Sequence, residues 1–88
     1  MRKSEDLFLD FWVVRVREFR VKMGLSQERL AEKIHVNVRN YQKLERGVHR
    51  PLAITLLLFL NLLPDQEVLA FVHTYGKLAK AGQSEEVA

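Results

Sequence analysis

The chain has no cysteine in its 88 residues, only two prolines, four glycines and a single tryptophan. Without cysteine there can be no disulfide and no thiolate metal site, which fits a reducing compartment. No hydrophobic run is long enough to span a bilayer: Leu52 to Leu63 is strongly apolar, but a span needs ~20 residues. The segment Met1-Arg2-Lys3-Ser4-Glu5-Asp6 turns acidic where a signal peptide would begin its apolar stretch. The expectation is a soluble, cytoplasmic protein with no membrane partner. Low-complexity segments, internal repeats and persistent strand alternation are also missing. The three histidines, His35, His49 and His73, are scattered, with no carboxylate or second histidine at metal-ligand spacing, and no Gly-rich phosphate loop or nucleophile motif occurs. These absences predict no enzyme, no cofactor and no metal, with His73 on a surface or an interface.

What is present is apolar periodicity at helical spacing and a positive balance. A length of 88 residues supports one domain with one small core. The net charge of +3 and isoelectric point near 9.5 suit a polyanionic partner, although ordinary soluble proteins share such an excess. Five helices are predicted. Ser4 is placed to cap a first helix ending near Met23, with Glu5 and Asp6 favourable against its dipole. Phe8, Trp12, Val16, Phe19 and Met23 form its core stripe. Gly24 then stops it by taking positive φ. Ser26 caps the second helix and Asn37 the third. The stretch from Gly47 to Pro51 reads as a linker, the fourth helix ends near Leu63, and Pro64 opens a fifth that reaches about Lys80. Residues 1–81 make the domain and 82–88 a flexible tail.

From Gly24 to Gly47 the pattern is more specific. Leu30, Ile34, Val36, Tyr41 and Leu44 supply inner apolar contacts, Ala31 is small enough for a second helix to cross closely, and the outer side is polar or basic. Two short helices joined by a tight turn, over about residues 26–46, are suited to setting one helix in the major groove of DNA. At 100° per residue from Asn37, Tyr41 and Leu44 fall on one side of the third helix, with Arg39, Gln42, Lys43 and Arg46 opposite. Arg39 and Lys43 can donate to guanine O6 and N7, and Gln42 can pair with adenine. The same face also reads as an ordinary solvated helix surface.

Arg20, Gly24, Ser26-Gln27, Leu30-Ala31, Leu44-Glu45, Gly47 and Pro51 are spaced as in phage repressor and Cro-type regulators. On these residues the chain resembles the XRE-like helix-turn-helix family, over roughly residues 14 to 63. The resemblance implies an all-α, compact five-helix repressor-like domain whose second and third helices form the motif. It implies sequence-specific binding of a double-stranded DNA operator, usually by a two-fold dimer. By position in the motif, Val38, Arg39 and Lys43 become the first base readers, Val38 touching a thymine methyl, with Asn37 and Asn40 nearby. Gln27 stands where the family grips a phosphate. Arg46, His49 and Arg50 can reach the backbone or form a mobile basic loop. Arg20 and Glu45 correspond to a structural ion pair. Two positions depart from the pattern: His35 replaces a common turn glycine at a cost in strain, and Tyr41 replaces an aliphatic, so its hydroxyl needs a partner or water.

Surplus apolar surface suggests a partner. In the fourth helix Ala53, Leu56, Leu60 and Leu63 would suffice for the core, leaving Ile54, Leu58 and Leu62 as a second stripe. With Val68, Leu69, Phe71 and Val72 on the fifth helix and Leu7, Phe11 and Val14 on the first, these predict a homodimer interface. The opposing expectation is a fifth helix that buries all of it within one subunit. The function expected is a dimeric transcriptional repressor. An antitoxin with a cognate toxin, repressing its own operon, is the alternative among DNA binders. A protein-interaction adaptor without groove contacts is the alternative outside them.

Overall fold

The computed structural model describes residues 4–87, with side chains described for 7–81. Its elements are α1 (Ser4–Lys22), α2 (Gln27–Lys33), α3 (Val38–Glu45), α4 (Ala53–Leu60) and α5 (Asp65–Val87), with no strand among the described residues. The Ser4 side chain, expected as a cap, lies outside the described residues, as do the side chains of 82–88, where a tail was expected. As backbone, α5 continues past the predicted end near Lys80 to Val87.

Three of the four interhelical turns begin with the same pair of hydrogen bonds. After α1, Leu25 N–H donates to Arg20 O (3.0 Å) and Gly24 N–H to Val21 O (3.1 Å). After α2, Val36 N–H donates to Ala31 O (3.0 Å) and His35 N–H to Glu32 O (3.3 Å). After α3, Val48 N–H donates to Lys43 O (2.9 Å) and Gly47 N–H to Leu44 O (3.2 Å). This pairing satisfies two of the carbonyls left over at a helix end and needs a left-handed residue at the turn. Gly24 (φ 67°) and Gly47 (φ 76°) take that conformation freely, and His35 takes it at φ 62° with a Cβ present. Gly47 is doubly constrained, since a Cβ there would sit 3.3 Å from Val13 Cγ2.

The core is threaded by rings. Phe59 of α4 packs edge-on against Trp12 (centroids 5.2 Å apart) and Phe19 (5.4 Å) of α1 and meets Phe71 of α5 at 6.1 Å. Phe11 continues the chain of rings to Phe71 (5.0 Å) and Tyr75 (5.4 Å), and Tyr75 reaches Phe8 (5.3 Å). Every aromatic side chain except Tyr41 belongs to this network. Edge-to-face pairs add about 0.5–1.5 kcal/mol each to the burial they accompany. Val16, Leu30, Ala31, Ile34, Tyr41 and Leu44 complete the buried cluster and join α2 and α3 to the same core.

Several expected placements are corrected. Met23 is 56% exposed, because α1 ends one residue earlier and the chain turns away. The buried residues of α4 are Thr55 and Phe59, with Ala53 exposed and Leu56, Leu60 and Leu63 only partly buried against the core. Leu58 and Leu62, expected in a second stripe, also pack against the core, while Ile54 is exposed. Phe11 and Phe71, expected at an interface between subunits, are 5% and 7% exposed inside one subunit. Their rings fill the space between α1 and α5, with the Arg15 guanidinium 4.7 Å from the centre of the Phe11 ring.

Candidate nucleic-acid interface

Each helix of the motif starts on the side chain that the sequence nominates. Ser26 Oγ accepts from Arg29 N–H (3.1 Å) and Asn37 Oδ1 from Asn40 N–H (2.8 Å), so both starting points are fixed by residues with extended backbone. Asn37 is thereby engaged as a cap, in addition to any contact it makes outside the chain.

The rotation of α3 about its own axis is set by its buried side. Tyr41 is fully buried, with Leu44 and Glu45 nearly so. Asn37, Arg39, Asn40, Gln42 and Arg46 are exposed, and Val38 and Lys43 are half-buried. His49 and Arg50 are exposed in the segment that follows. Glu45, the one acidic residue of α3, is turned inward, so the outward face carries positive charge and amides only. An α-helix with such a face is dimensioned to enter the major groove, where guanidinium and amide groups meet base edges.

Glu45 is held by two arginines. Arg20 Nε donates to Oε1 and Arg20 Nη2 to Oε2, both at 2.9 Å, a bidentate pair that ties α1 to the end of α3. Arg20 Nη1 also donates to Leu25 O (3.2 Å), and Arg17 adds Nη2 to Glu45 O (3.2 Å) and Nε to Oε2 (3.5 Å). Burial alone would raise the Glu45 pKa, but the hydrogen bonds from Arg20, the closeness of the Tyr41 hydroxyl dipole and the charges of Arg20 and Arg17 outweigh it, holding the carboxyl below its ordinary value. The hydrogen bond to Glu45 raises Arg20 in turn. Tyr41 stands beside this pair; its hydroxyl has no hydrogen-bond partner among the described residues, and burial, followed by the adjacent Glu45 carboxylate, pushes its pKa far up. It stays a neutral phenol.

Gln42 Nε2 donates to Gln27 Oε1 at 3.1 Å. This bond joins the exposed side of α3 to the first residue of α2 and engages the Gln27 amide oxygen, not its N–H groups. Arg17 and the Gln27–Gln42 link were not foreseen. Arg17 lies three residues before Arg20 on one helical face, a signal that spacing offers once Glu45 is known to be a partner.

Away from the motif, an open groove between α1 and α5 is lined by Phe19, Phe59 and Phe71, and Lys22 pairs with Glu67 across its rim (3.5 Å). No helix among the described residues is long and apolar enough to cross a membrane.

The family model described as helix-turn-helix matches residues 16–64, more than half of the chain. That stretch runs from Val16 through the motif to Pro64 and includes every residue of the outward α3 face. No curated protein and no solved structure matches the chain.

Proposed function

Because the chain belongs to the XRE-type helix-turn-helix family, and is thus a DNA-binding regulator of that type, we propose that it is a sequence-specific repressor that binds its operator as a homodimer. The observation that supports this most directly is the division of α3: Tyr41, Leu44 and Glu45 buried, with Arg39, Asn40, Gln42 and Arg46 exposed. In this reading α3 enters the major groove. Arg39 and Lys43 read guanine, Val38 touches a thymine methyl, and Asn37 and Asn40 lie near base edges at the helix start. Gln27 grips a phosphate with its free amide N–H groups, and Gln42 acts chiefly by holding Gln27 in place. Arg46, His49 and Arg50 contact the backbone. The protein works in the cytoplasm, carries out no catalytic step and uses no cofactor or metal.

The test is selection of duplexes from a random pool at near-physiological salt, with sequencing of the bound fraction. A palindrome with half-sites about one helical turn apart is the expected result. Weak binding without an enriched sequence, falling steeply with salt, would overturn the repressor reading. A second reading draws on the exposed Leu52, Ile54 and Leu57 around α4, which suit a protein partner. An antitoxin would cover that surface with its cognate toxin, and a co-purifying second chain that restores sequence preference would identify it.

A further inference from the structure

Two apolar stripes run along α5. Phe71 is buried in the core, Tyr75 packs against it and Val68 is half-buried, whereas Leu69 and Val72 remain 58% and 52% exposed. Between the ends of this helix stands Gly76, and a Cβ built on it would meet nothing within 4 Å. Glycine in a helix interior is destabilising relative to alanine. Nothing within the subunit requires it there. A glycine facing open space beside exposed apolar side chains is what close approach of another helix calls for.

The order of residues on this face identifies the other helix. At 100° per residue, Asp65, Leu69, Val72, His73, Gly76 and Lys80 fall within an arc of about 100°. All except Gly76 are exposed, and Gly76 is half-buried. The pairs 65 and 80, 69 and 76, and 72 and 73 are each symmetric about the point midway between Val72 and His73. Acid is thus mirrored by base, and the large side chain by the absent one. A face ordered in this way complements itself when a second copy runs antiparallel, and an unrelated partner would impose no such symmetry.

We infer that α5 pairs antiparallel with α5 of a second copy about a two-fold axis passing between Val72 and His73. Each Leu69 seats over Gly76 of the partner subunit, and each Asp65 lies opposite Lys80 of the partner subunit. This deepens, and rests on, the reading of the protein as a dimeric DNA binder.

The experiment is sedimentation equilibrium of the full chain at micromolar concentrations. The wild type should sediment with the mass of two chains. Gly76→Leu fills the seat and should raise the dissociation constant roughly tenfold or more, with helix content by circular dichroism retained. The exchange Leu69→Gly with Gly76→Leu returns a large residue opposite a small one in the antiparallel register, and should recover most of the loss. A monomeric wild type, a Gly76→Leu dimer as tight as the wild type, or an exchange variant no tighter than Gly76→Leu overturns the pairing. Binding to a single half-site is measured in parallel. A monomer that keeps Arg39-dependent sequence preference removes the pairing and leaves the DNA reading, whereas a dimer with no sequence preference does the reverse.

Discussion

Arg20 and Glu45 share two parallel hydrogen bonds of 2.9 Å, and this fork joins α1 to the last residue of α3. The Glu45 side chain is 5% exposed and that of Arg20 20%. A carboxylate so buried depends on its partners, because a charge left alone in such a place is far costlier than the pair. Arg20→Ala should therefore destabilise the fold by about 3 kcal/mol in urea unfolding. Arg17→Ala, whose side chain is more than half exposed, should cost under about 1 kcal/mol.

The same pair sets an acid limb of stability. Glu45 binds its proton less tightly when folded than when unfolded. The stabilisation is therefore complete above the ordinary carboxylate value and is lost as pH falls through the lower folded value. In urea titrations across pH, the difference between wild type and Glu45→Gln should be constant near neutrality and shrink below about pH 4.5. A difference that grows on acidification would contradict the assignment.

At the left-handed turn positions, exchange of residue should work in opposite directions. His35→Gly removes the Cβ from a φ of 62° and should stabilise by about 0.5–1 kcal/mol, less the entropy glycine adds to the unfolded chain. Gly47→Ala meets both a φ of 76° and Val13 Cγ2 at 3.3 Å and should destabilise by more than about 1 kcal/mol. Thermal unfolding of the two variants compares them directly.

On the proposed DNA surface, variants should separate into two kinds. Arg39→Ala should cost about 1–3 kcal/mol on the preferred operator and relax the sequence preference. Gln27→Ala should weaken all sequences alike. Because Gln42 holds Gln27, Gln42→Ala should resemble Gln27→Ala, and the total loss of the double variant should fall short of the sum of the two single losses. Additive losses, or a change in preferred sequence on Gln42→Ala, would show Gln42 reading bases independently.

How much of this could be read in the sequence differs by element, for physical reasons. α2 and α3 were legible because their ends are decided locally: Ser26 and Asn37 each bond to a backbone N–H three residues on. The face of α3 was legible because polar and apolar residues alternate strongly along it. In α4 they do not: Ala53–Leu60 is apolar on all sides but Thr55, so periodicity carries no sense of rotation; the rings packed around Phe59 set the inward side, and Thr55 lies one turn before it on that side. On α5 the stripes beginning at Val68 and Leu69 lie about 100° apart, and the rings of α1 and α4 decide which turns inward. The Gln27–Gln42 bond was hidden since it needs two helices at a definite crossing. Arg20 and Glu45 came from the family resemblance, and Arg17 emerged once their pairing had a geometry.

The three repeated helix stops bear on how the chain reaches its fold. Each is closed by bonds spanning three to five residues, from Arg20 to Leu25, Ala31 to Val36 and Lys43 to Val48. Such closures involve very short loops, so the pivots on either side of α2 and α3 can form with little loop entropy lost and without the ring network that joins α1 to α4 and α5. Assembly should then be fast for the reading unit and slower for the aromatic side, which must bring Phe11 and Phe71 together across most of the chain.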